Sequence, residues 1–198
     1  MRKCFSIFLI VIGLGCIAYS LYPLFEMDKG MTDSLNEWES LKAEYNTLQS
    51  DEILSESEES KIELTNGIVG ILKLNESGDW LPIRSGTTEW ILSQGVGLDE
   101  DTVFPGELGN SVLYGHREKI FWDLKHTVVG DYLMLETLTN TLTFEVVDTQ
   151  IVDPTDEYIY EKSDESMLTL VTCYPFIYMG PTPERFIVKA KLINPVME

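Results

Sequence analysis

The stretch Met167–Lys191, MLTLVTCYPFIYMGPTPERFIVKAK, sets how the chain folds. Leu168, Leu170 and Thr172 alternate with Thr169 and Val171, and that period of two in β-branched and aliphatic residues predicts a strand ending at Cys173. Pro175, Gly180, Pro181 and Pro183 punctuate a turn-rich insert, after which Arg185–Ala190 reads as a second strand. In a hairpin-like pair, the thiol at the mouth of the first strand faces the guanidinium at the start of the next. A nucleophile and a fixed positive charge are two of the three parts of a thiol acyl-transfer site. The third, an imidazole, is offered by His116 in Tyr114–Glu118, at the end of the apolar run Ser111–Tyr114.

Upstream, the same pattern begins at Asn66. Ile68–Leu74 reads as a strand and Trp80–Ile83 as a short edge strand, where a proline is tolerable. Thr87 to Gly95 reads as a short helix, with Thr87 or Thr88 as N-cap and Gly95 as stop. Gly106, Gly109 and Asn110 turn the chain into Ser111–Tyr114, and Phe121–Leu124 suits one helical turn. Asp131–Thr137 and Thr141–Val152 form a long hairpin. Many short strands with turn signals and one or two short helices predict an all-β class, a closed or nearly closed β-barrel.

Before Asn66 the composition is different. Phe5 to Phe25 gives 21 positions without a charged residue, about 31 Å as a helix and enough to cross a hydrocarbon core of about 30 Å. Arg2 and Lys3 precede it and Glu26 and Asp28 follow, which predicts an uncleaved single-pass anchor with its N-terminus cytoplasmic and the remainder extracellular. Residues 26–65 carry twelve acids against three bases, a self-repelling composition that predicts a partly helical stalk. Within it Leu35, Trp38, Leu41, Tyr45 and Leu48 recur at helical steps, so a helix docked on the following domain is the competing expectation. The Ser/Glu run Ser55–Ser60 reads as a hinge. The expected organisation is therefore 1–25 anchor, 26–65 acidic stalk or linker, and 66–198 catalytic barrel.

The whole chain carries a formal charge of −19, which excludes phosphate-backbone binding and so a nucleic-acid partner. Cys4 and Cys16 fall in the apolar segment, leaving Cys173 as the thiol of the outer domain and without a disulfide partner there. His126, in a polar connection, reads as a solvated residue, whereas His116 ends a buried-looking strand after a glycine. Arg84 and Arg117 compete with Arg185 as the cation; Arg117, next to His116, should point away from it by strand alternation. No CxxC or HxxxH spacing is present, and two distant histidines with one cysteine make a poor ligand set, so no metal or cofactor is expected. The acidic loop Asp153–Glu165 has no calcium-loop pattern.

Thr169-Leu170-Val171-Thr172-Cys173 resembles the TLxTC signature of sortases, the Gram-positive transpeptidases that attach proteins to the cell wall. Gly115-His116-Arg117 upstream and Arg185 downstream complete that family's order, and the runs GHREKIFWDL and TCYPFIYMGPTPERFIVKA look most like its class D branch. The resemblance spans about Asn66 to the C-terminus. It implies an eight-stranded barrel in which Cys173 attacks between Thr and Gly of an LPxTG-type sorting signal on a surface protein. It further implies that His116 protonates the leaving amine, that Arg185 holds substrate carbonyls or the oxyanion, and that a peptidoglycan precursor or other amine resolves the thioacyl enzyme. Thr172, Tyr158, Ile159 and Tyr174 are the implied substrate contacts. A pilin-polymerising class C enzyme is one alternative, but the Asp-Pro-aromatic lid of that class has no counterpart upstream of Asn66. A non-catalytic binding module is another. A papain-like hydrolase runs Cys before His, contrary to the order here.

Overall fold

The computed structural model describes residues 2–50, 67–178 and 180–193. Eight strands form a closed barrel: β1 Ile68–Lys73, β2 Leu81–Ser85, β3 Val96–Leu98, β4 Gly109–Tyr114, β5 Tyr132–Glu136, β6 Thr141–Val152, β7 Ser166–Tyr174 and β8 Glu184–Ile193. Their order around the wall is β1-β2-β3-β4-β7-β8-β6-β5. Alternation sends Leu113 of β4, Leu168 and Leu170 of β7, and Val188 and Ala190 of β8 inward. There they meet Leu133, Leu135, Phe144 and Val146 in a fully buried core. An eight-stranded barrel is just wide enough to be filled by side chains in this way.

Closure changes two local expectations. Trp80–Ile83 is not an edge strand: β2 has β1 on one side and β3 on the other. The short strand β3 was not expected at all. It pairs parallel to β2 through a crossover carrying helix α2, Glu89–Gln94, which Thr88 caps by accepting from the Ile91 N–H. Sequence periodicity sees neighbours along the chain, and a three-residue strand held by a crossover leaves no such trace. The β5–β6 hairpin forms as expected, with Glu136 opposite Thr141.

The outer face of the wall carries a second cluster. Val112, Val171, Ile187 and Val152 point outward and are covered by the β6–β7 connection, whose 3-10 helix Glu157–Tyr160 contributes Ile159. Asn110 pins that connection, donating from Nδ2 to the carbonyls of Ile159 (3.1 Å) and Glu161 (3.2 Å) while accepting from Thr169 (2.7 Å).

Helix α1 runs unbroken from Arg2 to Ser50. Every side chain from Ile10 to Tyr22 is exposed. Beyond it, Met27 and Met31 pack against the barrel core, and Trp38, Leu41 and Tyr45 are buried with Ile68, Ile71 and Leu138. Asp28 pairs with Lys119, Glu37 with Arg84 at 2.9 Å, and Lys42 with Glu136. The described part of the acidic segment is therefore a docked helix rather than a free stalk. Its self-repulsion is relieved by cations on the barrel, which a charge count over the segment alone leaves out. The Ser55–Ser60 hinge lies outside the described residues.

Candidate active site

β7 and β8 are antiparallel and set Cys173 directly opposite Arg185. β4 runs parallel to β7, with Tyr114 opposite Val171. The Gly115 N–H continues that register by donating to the Val171 carbonyl at 3.2 Å, so the next residue, His116, arrives beside Cys173. Thr172 locks the step: its buried hydroxyl donates to the Gly115 carbonyl at 2.7 Å. Gly115 itself has no room for a side chain, because a Cβ would stand 2.8 Å from the Phe121 ring. Thiol, imidazole and guanidinium thus gather on the outer wall at one rim of the barrel.

Cys173 is half-buried. The His116 side chain is 27% exposed, with Nε2 at 3.5 Å from Glu89 Oε1 in the first turn of α2. Arg185 donates from Nη1 to the carbonyls of Thr182 (3.3 Å) and Glu184 (3.0 Å), which aim the guanidinium along the start of β8. His126 ends the 3-10 helix Trp122–His126 and is exposed.

The other expected contacts divide. Thr172 is 2% exposed and Ile159 1%; both lie beneath the surface, the first bracing the approach to His116 and the second packed against Val112, Val152, Val171 and Ile187. Tyr158 donates to Asp148, and the Lys189 ammonium sits 3.6 Å from its ring centre. That hydrogen bond leads the causes that hold the Asp148 carboxyl below its ordinary range. Tyr174 stands at the rim, edge-on to Phe176, which in turn packs edge-on to Phe186.

Other residues around the site had either a different reading in the sequence, as Arg117 had in competing with Arg185 for the role of cation, or none. Arg117 is buried and points away from His116, as alternation requires. It donates to the carbonyls of Pro175 and, at 2.9 Å, Tyr178, fastening the β7–β8 loop beside Cys173. Burial works against the charge on its neighbour Glu118, yet the hydrogen bond from Arg117 carries that carboxyl below its ordinary value. Tyr114 shares the outward face with His116 and hydrogen-bonds Tyr160 at 2.7 Å, which donates to Asp99 at 2.7 Å. Burial raises both phenols above their ordinary value; at Tyr114 the hydrogen bond with Tyr160 and the charge of Arg185 work the other way. The shared spacing of Asn110, Val112, Tyr114 and His116 was the available signal. Glu89 had none.

The fold is a closed eight-stranded barrel in which adjacent strands set Cys173 opposite Arg185 and a parallel neighbour ends just before His116. The sortase domain model matches residues 72–193, and the chain belongs to the sortase family. It is 30% identical over 198 residues to sortase D of Bacillus subtilis (strain 168), covering 98% of this chain and 100% of that protein. Among solved structures it is similar to the sortase D5 transpeptidase of Clostridium perfringens, with a TM-score of 0.62 and 27% identity over 78% of this chain and 99% of that one. It is also similar to sortase C of Clostridium perfringens SM101, with a TM-score of 0.59 and 26% identity over 84% and 91% of the two chains.

Proposed function

We propose that the protein is a membrane-anchored cysteine transpeptidase that cleaves an LPxTG-type sorting signal between Thr and Gly and passes the acyl half to an amine of the cell wall. The observation that carries this reading is the register placing Cys173 opposite Arg185, with His116 delivered to the same rim by the parallel strand β4. Cys173 Sγ adds to the threonine carbonyl carbon, and Arg185 stabilises the oxyanion. His116 gives a proton to the departing glycine nitrogen as the C–N bond breaks, leaving a thioester on Cys173. An incoming amine then adds to that carbonyl, His116 accepts its proton, and the C–S bond breaks as the new amide forms. The long exposed apolar run at the start of α1 serves as the anchor, with the positive residues Arg2 and Lys3 on the cytoplasmic side and the barrel outside.

The test is turnover of an LPxTG peptide by the full chain in the presence of a small amine. Wild type is expected to give both the cleaved leaving group and the amine adduct, and Cys173→Ala neither, with an unchanged melting temperature. Turnover by Cys173→Ala would refute the thiol as nucleophile.

A further inference from the structure

The site and the apolar part of α1 lie at the same end of the barrel. β4 and β7 are parallel and deliver Tyr114 and Tyr174 to one rim, where antiparallel β8 begins with Glu184 and Arg185. Helix α1 arrives at that rim: Asp28 pairs with Lys119, three residues past His116, and Gly30 packs against Gln94 of α2. It then descends across the wall, meeting Arg84 through Glu37, and finally Ile68, Ile71 and Leu138 toward the opposite rim. The exposed run that ends at Tyr22 therefore projects beyond the rim that holds Cys173.

There is no spacer between that run and the barrel. Asp28 is three residues past Phe25, about 4.5 Å along the helix axis. Met27 already packs on the core. The β7–β8 loop shares this rim, held through Arg117 by the carbonyls of Pro175 and Tyr178. Arg117 is two residues from the Lys119 that pairs with α1. Phe176 turns in to the core, yet Ile177 and Tyr178 beside it remain 82% and 53% exposed. An aliphatic residue and a tyrosine side by side at this level suit the boundary between headgroups and acyl chains.

We propose that the Ile177–Tyr178 part of the β7–β8 loop rests in the interfacial layer of the bilayer that holds α1, so that the rim carrying Cys173 lies at the membrane surface. The partner is a lipid surface, and the proposal rests on the reading of α1 as an anchor. With a net charge of −19, the contact is apolar and needs no anionic lipid.

The test uses the full chain in phosphatidylcholine nanodiscs, with a fluorescent thiol label at one position at a time. The positions are native Cys16, Ile177→Cys and Leu108→Cys, and the other cysteines are replaced by serine. Leu108 is exposed and precedes β4 at the opposite rim, so it reports the side facing away. Quenching is read with nitroxide-bearing lipids, spin-labelled on the acyl chain for Cys16 and at the headgroup for the other two. The expected result is strong quenching at Cys16 and Ile177→Cys, with Leu108→Cys keeping nearly all its emission. Quenching at Cys16 with Ile177→Cys no more affected than Leu108→Cys would leave the anchor standing and overturn the loop contact. An unquenched Cys16 would remove the anchor reading and the proposal with it.

Discussion

The hydroxyl of Thr172 ties β7 to β4 at the end nearest His116, as the Thr169–Asn110 hydrogen bond does further down the same pair. It donates to the carbonyl of the residue before His116, so its loss leaves a buried acceptor unpaired at the point where the imidazole is aimed. Thr172→Val is expected to lose roughly 1–3 kcal/mol of stability and most of its turnover, while Thr172→Ser, which keeps the donor, restores both; urea melts and peptide-cleavage rates read the two effects separately. The two histidines make a cleaner pair. His116→Ala should abolish turnover and His126→Ala, at an exposed helix end, should keep most of it; the reverse ranking in a cleavage assay would mean the wrong imidazole is engaged. The strand-end positions of the three candidate residues were legible from period-two alternation, and their proposed roles came from the resemblance of the motifs around them. Glu89 was not legible, because its approach to His116 depends on a crossover that periodicity does not encode.

Among the elements, α1 is the one whose role was divided in the sequence. The stripe Leu35, Trp38, Leu41 and Tyr45 was visible as a helix face. Its partners Ile68, Ile71 and Leu138 come from β1 and the β5–β6 turn, distant in the chain, and so were not. Trp38 is 3% exposed, and Trp38→Ala is expected to cost about 3–5 kcal/mol of stability, measured by chemical unfolding of the detergent-solubilised full chain. A free stalk would tolerate that change without loss. The connection that covers the outer wall has its own signature. Tyr114 and Tyr160 keep their protons in the fold beyond the ordinary tyrosine value of 10.0, so in alkali the folded chain binds more protons than the unfolded one. Their contribution is fully present below that value and is lost as pH rises through their folded values. Tyr160→Phe should therefore flatten the fall in melting temperature above pH 10; a variant as alkali-sensitive as wild type would contradict the phenol chain.

At the scale of the whole molecule, the barrel was legible as a class from many short strands separated by turn signals. The order of those strands was not, because both parallel pairings, β2 with β3 and β4 with β7, join segments that no hairpin connects. The second pairing matters most, since it carries His116 across more than fifty residues of chain to the rim where Cys173 meets Arg185. The docked helix reaches the barrel at that same rim, where Asp28 pairs with Lys119. Fold, helix and candidate site are in this sense one arrangement: the end of the barrel that receives the helix from the apolar segment is also the end at which Cys173 faces Arg185.

The most direct measurement is the intact mass of the full chain after brief exposure to an LPxTG peptide, followed by peptide mapping. The account predicts a mass increase equal to the acyl half of the peptide, carried by Cys173 as a thioester, absent from Cys173→Ala and discharged on adding an amine. Peptide cleavage with no adduct on Cys173, or an adduct that forms equally well without His116, would contradict it.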